Sequence, residues 1–218
     1  MLHDPYGYGR GLAATFVRAA ARLDIGIAGN QSFDYGASSY SPLVARVAAA
    51  RPDALLVIGG IRPDTAVLLK ELRAALGQQV RILATDGFSL FPLVRKLVGA
   101  AAEGMLVSEA GVPNSELPAA GRKFVAAFAK AVDETPASYP AYAAQATGVL
   151  LDAIARSNGT RASVTSELFK TKVSNGILGT FAIDRYGDTT AAAISIYRIV
   201  GGVPRLLRVI TPPPALVH

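Results

Sequence analysis

The sequence of 218 residues contains no cysteine and no tryptophan, and its only histidines are His3 and His218. Without cysteine there can be no disulfide, no thiolate nucleophile and no thiolate metal site. Two histidines near opposite termini give no basis for a histidine metal site or a catalytic histidine dyad. We therefore expect no catalytic residues, no metal site and no cofactor. The absence of cysteine fits an oxidising compartment as well as the cytosol, so it does not decide localisation.

Charged residues are also scarce, at 17% of the chain, whereas 51% of the residues are hydrophobic. This balance excludes general disorder. No apolar run approaches the roughly 20 residues that span a bilayer, and the first residues show no basic start and cleavage pattern of a signal peptide. The net charge is +6, but the basic residues are scattered singly along the predicted helices. We therefore expect no nucleic-acid partner.

Short apolar runs alternate with amphipathic helical segments over the first 110 residues. The predicted helices cover residues 9–23, 42–50, 63–76 and 90–102. The predicted strands cover residues 25–33, 53–60, 80–85 and 104–110. Near-continuous apolar strands separated by helices favour parallel pairing, so the predicted fold class is α/β with a doubly wound parallel sheet. Ligands of such sheets bind beyond the carboxyl ends of the strands, where we place the loops HDPYGYG, GGIRPD and TDGFS.

The alternation stops after Ala110. Predicted helices cover residues 119–133, 142–156 and 163–173, and a hairpin formed by LGTFAID and AAAISIYRIV follows. We therefore divide the chain into three parts. Residues 1–112 and 178–210 form an α/β ligand-binding lobe, residues 113–177 form a helical segment of another, incomplete lobe, and residues 211–218 form an irregular tail.

Three closely spaced glycines near the amino terminus allow a nucleotide hypothesis. The stretch from Gly9 to Ala14, GRGLAA, fits the looser dinucleotide-binding fingerprint. That fingerprint requires a strand directly before it, so that the turn delivers a pyrophosphate to a helix N-terminus. Only Met1 and Leu2 provide an apolar lead-in here. A nucleotide-dependent enzyme is therefore the last of our hypotheses, and the sequence also contains no GxSxG elbow for a serine hydrolase.

Five stretches in a fixed order make the chain recognisable. They are HDPYGYGRGLA, RPDALLVIGGIRPD, ATDGF, SYPAYAAQATGVLLDAI and SNGILGTFAIDRYGD, the last of which fits a GxxGxxxFDxxGD signature. Together they resemble the later part of a type I periplasmic solute-binding protein, and more narrowly the leucine/isoleucine/valine-binding family of ABC transporters. The resemblance covers essentially the whole chain. The family's first lobe, its signal peptide and most of the second lobe's first strand have no counterpart in it.

The resemblance assigns ligand-binding roles to residues in three loops. Asp86 would bind a ligand ammonium group, and Tyr8 would pack on the ligand. Ile61 and Phe88 would be apolar walls, and Tyr6 would be a rim residue. Gly60 would let the backbone approach a ligand closely, although it could equally be an ordinary turn residue. From the residues alone, Asp86 could equally be a turn or helix N-cap aspartate. Ile61 stands where the family commonly presents an aromatic residue, which leaves the ligand's identity open.

The function implied by the resemblance is non-catalytic capture of a solute in the periplasm for an ABC importer. The partners would be a membrane permease and a small ligand, either an amino acid or a related small carboxylate. Two alternatives remain open: an aromatic-acid or amide binder of the same family, and the ligand-sensing domain of a regulator with the same fold. Fold alone cannot separate these functions.

The helices after residue 113 carry apolar faces that the family packs on its first lobe. These faces contain large side chains, namely Phe124, Phe128, Val132, Val149, Leu150, Ile154 and Leu168. Exposing several of them would cost ~1.5–3 kcal/mol each. We therefore expect that the natural product is longer, or that a second copy covers this face in a homo-oligomer or swapped dimer.

Overall fold

The structure is a computed structural model that describes residues 1–37, 39–134 and 136–213. These residues form seven α-helices and nine β-strands. The helices are α1 (Gly7–Arg22), α2 (Ser41–Ala49), α3 (Pro63–Leu76), α4 (Phe91–Leu97), α5 (Ala119–Val132), α6 (Tyr139–Arg156) and α7 (Arg161–Phe169). The strands are β1 (Leu2–His3), β2 (Gln31–Ser32), β3 (Ala54–Ile58), β4 (Arg81–Ala84), β5 (Leu106–Ala110), β6 (Lys172–Gly176), β7 (Gly179–Ala182), β8 (Ile194–Val200) and β9 (Val203–Ile210). Short 3₁₀ helices cover Asp86–Phe88, Gly99–Ala102 and Asn114–Glu116.

The main sheet has seven strands in the order β2-β1-β3-β4-β5-β8-β9. Strand β1 pairs in parallel with β2 and β3, and the pairs β3–β4 and β4–β5 are parallel as well. The prediction of an α/β fold with a doubly wound parallel sheet is therefore confirmed. The order of the first five strands is the flavodoxin-like 2-1-3-4-5 arrangement. In sheets of this order, ligands commonly bind at the carboxyl ends of β1 and β3.

The core of this sheet comes from short apolar strands and the helices that pack on them. In β3, Leu55, Val57 and Ile58 are almost completely buried. Helix α3 adds Leu68 and Leu72, one helical turn apart on the same face. The bounds of α3 agree with its prediction, because Pro63 at its first position and Gly77 after its end mark both termini.

Strand β2 is much shorter than predicted. The run from residue 25 to 33 was predicted to be a strand, but only Gln31–Ser32 pairs with β1. Ile25 is 51% exposed and Ile27 is exposed as well. A strand is stabilised when its side chains pack on neighbouring residues. The exposed side chains of Ile25 and Ile27 make little such packing. Periodicity and β-propensity alone therefore overestimated this strand.

The described residues divide into two compact units, Met1–Glu109 with the segment from Ser195 onward, and Ala110–Ile194. The second unit contains α5, α6, α7 and an antiparallel pair of strands, β6 and β7. The predicted hairpin pairing of LGTFAID with AAAISIYRIV is not found, since β7 pairs with β6 while β8 joins the main sheet. The predicted helix 163–173 also ends early, at Phe169, and β6 follows it.

Helices α5 and α6 expose part of the predicted apolar face. Val132, Leu150 and Ile154 are each more than 40% exposed, whereas Val149 is buried within the second unit. Phe124 and Phe128 are half-buried and pack on each other with ring centroids 5.8 Å apart. In the described part of the chain, no helix combines the length and apolar character needed to cross a membrane.

Candidate functional site

The predicted site lies where the loops after β3 and β4 meet through their backbones. The amide of Ile61 donates a hydrogen bond to the carbonyl of Gly87 over 2.9 Å. A Cβ atom on Gly87 would collide with the carbonyl oxygen of Gly59. A side chain at position 87 would therefore push the two loops apart, so glycine is needed for their close approach.

Tyr8 and Asp86 are brought together at this junction. The Tyr8 hydroxyl donates a hydrogen bond to the Asp86 carboxylate and lies 3.0 Å from Thr85 Oγ1. Tyr8 projects from the first turn of α1, which follows β1, whereas Asp86 begins the 3₁₀ helix after β4. Partial burial, and next the hydrogen bond to Asp86, raise the pKa of Tyr8. The phenol is therefore a neutral donor at physiological pH.

A second polar network lies beside this pair. The Asp4 carboxylate is buried and accepts hydrogen bonds from the Tyr6 amide over 3.0 Å and from the Tyr35 hydroxyl over 3.2 Å. The Tyr35 hydroxyl in turn accepts a hydrogen bond from the Gly60 amide over 3.2 Å. Burial and, to a lesser degree, the charge of Asp4 raise the pKa of Tyr35. The network connects the loops that follow β1, β2 and β3.

The ring of Tyr35 also organises the surface of these loops. Tyr6 stacks on it with a centroid distance of 5.8 Å and an interplanar angle of 14°. The Arg62 guanidinium carbon lies 4.6 Å from its centroid, which is a cation–π contact. Arg62 also lies 3.5 Å from an Asp64 carboxylate oxygen, but exposed ion pairs contribute little. The exposed rim therefore carries the Tyr6 and Tyr35 rings and the Arg62 cation.

The remaining predicted residues are less accessible. Phe88 is 0% exposed and Ile61 is 7% exposed, and both belong to the hydrophobic core. In this structure their side chains pack in the core and do not line an exposed surface. Gly60 contributes its backbone, with the amide bonded to Tyr35 and the carbonyl accepting from the Thr65 hydroxyl over 2.8 Å.

The glycine-rich stretch does not form a phosphate-binding turn. Helix α1 begins at Gly7, so the fingerprint from Gly9 to Ala14 lies inside the helix. A Cβ atom on Gly9 would come within 2.6 Å of the Asp4 backbone oxygen and even closer to its carboxylate. The absence of a side chain at Gly9 therefore leaves room for the Asp4 carboxylate. The negative charge of this carboxylate would repel a pyrophosphate.

Other candidate chemical groups do not form a centre in the described ranges 1–37, 39–134 and 136–213. No group of three His, Asp or Glu side chains there could hold a metal ion. Asp184 accepts hydrogen bonds from the amides of Tyr186 and Asp188, as a turn residue does. His218 lies outside the described residues.

Comparison with known proteins identifies the family. The family described as periplasmic binding protein matches residues 1–203. The chain belongs to the periplasmic binding protein family. Among curated proteins, none matches the sequence.

Solved structures of periplasmic binding proteins resemble the chain closely in fold. A leucine-binding protein from Thermotoga maritima is 28% identical with a TM-score of 0.81, and the match covers 97% of this chain and 59% of that one. A branched-chain amino acid binding protein from Streptococcus pneumoniae, solved with isoleucine, is 19% identical with a TM-score of 0.74, over 97% and 59% of the two chains. A solute-binding protein from R. palustris, solved with benzoate, is 15% identical with a TM-score of 0.73, over 97% and 57%. The chain thus spans less than two thirds of the length of these relatives.

Several residues that contact the predicted site in this periplasmic binding protein were not singled out from its sequence. Asp4 and Arg62 lie in two of the predicted loops, so loop placement could have identified them as candidates. Thr85 directly precedes Asp86 in the third predicted loop, so loop placement could have identified it as well. Tyr35 had no such signal, because it follows the misjudged strand β2 and reaches the site only through the fold.

A separate apolar cavity of about 440 Å³ lies at the opposite edge of the sheet, near the amino ends of β1 and β3. It is lined mainly by apolar residues, including Leu2, Phe16, Ile27 and Val47. None of the predicted ligand-binding residues lines it. This cavity is therefore distinct from the predicted site.

Proposed function

We propose that the chain provides a ligand-binding lobe of an extracytoplasmic solute-binding component of an ABC importer. The solute is a small amino acid or a related carboxylate, and it is bound without chemical change. A second lobe closes over the ligand by a hinge motion, and a membrane permease receives it.

The observation that carries this proposal is the contact between Tyr8 and Asp86 at the carboxyl edge of the sheet. The Asp86 carboxylate suits a ligand ammonium group, because a charge-assisted hydrogen bond is stronger than a neutral one. The neutral Tyr8 hydroxyl orients that carboxylate, and its partly exposed ring offers a surface for the ligand. Tyr6 is a rim residue, Gly60 provides backbone, and Ile61 and Phe88 supply apolar support.

The comparisons support a solute-binding role. The family consists of binding proteins, and the Thermotoga maritima relative is a leucine-binding protein. Leucine and isoleucine each carry both an ammonium and a carboxylate group. We infer from Asp86 that the ammonium group is bound by this lobe.

An aromatic acid is the second candidate ligand. The rim formed by Tyr6, Tyr35 and Arg62 favours it, because aromatic rings stack and a guanidinium group binds a carboxylate. The R. palustris relative was solved with benzoate. The aliphatic side chain at Ile61 is also consistent with a ligand other than the family's common amino acids.

A ligand panel tests the proposal. We would measure the melting temperature of the protein with L-leucine, L-isoleucine, benzoate or ATP. Each compound is added at a concentration well above the micromolar range, so that a ligand with a micromolar dissociation constant saturates the protein. A ligand at about 100 times its dissociation constant stabilises the folded state by about 2.7 kcal/mol, so an upward shift is expected with an amino acid. A shift with benzoate alone would favour the aromatic-acid alternative, and a shift with ATP alone would contradict the transport function.

A further inference from the structure

We propose that Tyr35 is a positioning residue that fixes the loop carrying Tyr8 relative to the loop carrying Ile61, and this inference rests on the proposed function for those loops. No motif in the sequence pointed to Tyr35. Its role follows from the two hydrogen bonds of one hydroxyl group.

The Tyr35 hydroxyl connects the segment after β1 to the segment after β3. Among the described hydrogen bonds, no other side chain connects these two segments. The Tyr35 hydroxyl donates to Asp4 Oδ2 over 3.2 Å, and it accepts from the Gly60 amide over 3.2 Å. Asp4 belongs to the segment after β1, and Gly60 belongs to the segment after β3. The phenol therefore adds a side-chain link between two adjacent crevice loops.

Asp4 transmits this connection to the start of α1. Its other carboxylate oxygen accepts from the Tyr6 amide over 3.0 Å, and its own amide donates to Ile58 over 3.0 Å. Tyr6 is the N-cap of α1, and Tyr8 lies in the first turn. Fixing Asp4 therefore fixes the direction from which Tyr8 enters the site.

Gly60 transmits the connection to Asp86. The neighbouring Ile61 amide bonds to Gly87, and Gly87 has no room for a side chain against Gly59. Asp86 precedes Gly87 and accepts the hydrogen bond from Tyr8. The contacts thus form a closed ring that runs through Tyr8, Asp4, Tyr35, the Gly60 loop and Asp86.

The residues of this closed ring of contacts are tightly packed, so the neighbours of Tyr35 have little space in which to rearrange. A Cβ atom on Gly59 would lie 3.1 Å from the Tyr35 hydroxyl and 3.0 Å from Phe33 Cζ. The Tyr35 ring contacts Tyr6, Phe33 and Arg62. Removing only the hydroxyl leaves these contacts of the aromatic ring in place and removes the hydrogen bonds that connect Asp4 to Gly60.

The experiment compares Tyr35→Phe with Tyr40→Phe. Tyr40 is a matched control, because its hydroxyl donates to the Asp34 carbonyl over 2.8 Å in the same segment, and none of the described hydrogen bonds joins it to Asp4 or Gly60. Amide hydrogen exchange is measured by NMR at Gly60, and binding of L-leucine, L-isoleucine and benzoate is measured by calorimetry. We expect Tyr35→Phe to speed exchange at Gly60 by about three- to tenfold, as loss of one hydrogen bond implies. We expect a similar loss of affinity, and no change of either quantity in Tyr40→Phe.

The outcomes separate the two proposals. If the wild-type protein binds none of the three probes, the proposed function fails, and exchange at Gly60 alone decides whether Tyr35 positions the loop. Equal exchange rates at Gly60 in both variants would overturn the inference. Faster exchange with unchanged affinity for a probe that binds would show that Tyr35 has only a structural role. Should Tyr35→Phe fail to fold, Asp4→Asn is measured in the same way, because it weakens one of the two hydrogen bonds that Tyr35→Phe removes and leaves Tyr35 intact.

Discussion

Tyr8 meets Asp86 across two loops, and this contact makes the pH dependence of the site predictable. Burial and the Asp86 hydrogen bond raise the pKa of Tyr8, so the folded state retains a proton that the unfolded state loses near pH 10. The resulting stabilisation is fully present below pH 10 and decreases as the pH rises further. We expect urea unfolding of the wild type to show a steeper loss of stability between pH 9.5 and 11 than that of Tyr8→Phe.

The control for this measurement is Tyr186→Phe, which removes a phenol from an exposed position. Its unfolding curve should follow the wild-type curve across the same pH range. If Tyr8→Phe and Tyr186→Phe show the same pH dependence, Tyr8 is not coupled to Asp86 in solution.

Gly87 permits the close contact between the loops that follow β3 and β4. In Gly87→Ala, the new methyl group would collide with the Gly59 carbonyl, and we expect a loss of about 1–3 kcal/mol in the free energy of unfolding. Gly11→Ala is the matched control, because Gly11 lies inside α1 with open space around it. There the substitution should stabilise the protein by about 0.5–1 kcal/mol. A neutral effect of Gly87→Ala in urea denaturation would contradict the close contact of the two loops.

The sequence located the loops of the site better than the side chains within them. The loops could be predicted because apolar strands and helix signals alternate regularly, and the strand ends then follow. The contact between Tyr8 and Asp86 depends on strand order, which places the loops after β1, β3 and β4 side by side. Tyr35 could not be predicted, because its role depends on a hydroxyl geometry that no local pattern encodes. The burial of Phe88 could not be predicted either, because the sequence does not indicate whether a phenylalanine in a loop faces the core or the solvent.

At the scale of elements, Arg73 holds the end of α3. It is a buried arginine whose guanidinium donates to the carbonyls of Gly77, Val80, Ala101 and Glu103, at distances between 2.8 and 3.4 Å. Burial lowers its pKa, but the group remains a cation at any physiological pH. It therefore joins the C-terminus of α3 to the segment that follows α4.

Replacing Arg73 should destabilise the protein strongly. Arg73→Met retains an unbranched apolar stem but leaves several carbonyls without a donor, and each buried unpaired group costs about 1–3 kcal/mol. We expect a loss on the order of 3 kcal/mol in urea denaturation. Lys70→Met, at an exposed position of the same helix, should change stability by less than about 0.5 kcal/mol. Equal effects of the two substitutions would contradict this account of the helix end.

Element bounds were predictable where chemical signals mark both ends. Helix α3 begins at a proline and ends before a glycine, and its prediction is correct to the residue. Strand β6 was missed because VSNG carries turn residues, with Asn175 at a positive φ of 55°. It forms because β7 pairs with it. Pairing of this kind is a tertiary effect, so it could not be inferred from local propensity.

At the scale of the whole molecule, the exposed face of the second unit predicts self-association. Leu150, Leu151 and Ile154 on α6 are 44%, 60% and 46% exposed, and contiguous apolar patches mark interaction surfaces. We expect light scattering to show a dimer or larger species at micromolar concentration. Leu151→Glu should reduce association at least tenfold, because burying an unpaired charge in an interface is costly.

The control places the same charge elsewhere. Lys123→Glu changes an exposed residue of α5, and it should leave the association constant unchanged. A monomeric wild-type protein would show that this face does not bind a second copy.

Calorimetry with two matched ligands distinguishes an Asp86 that binds the ammonium group of a small solute from an Asp86 that only shapes the loop. L-Leucine and 4-methylpentanoate share the carboxylate and the alkyl chain, and only leucine carries an ammonium group. In Asp86→Asn, we predict that leucine binding weakens by about 2–5 kcal/mol, the usual cost of breaking a desolvated charge pair. Binding of 4-methylpentanoate should stay the same or become tighter, because a repulsive charge is removed. Equal losses for both ligands would show that Asp86 only supports the loop, and this would contradict the account.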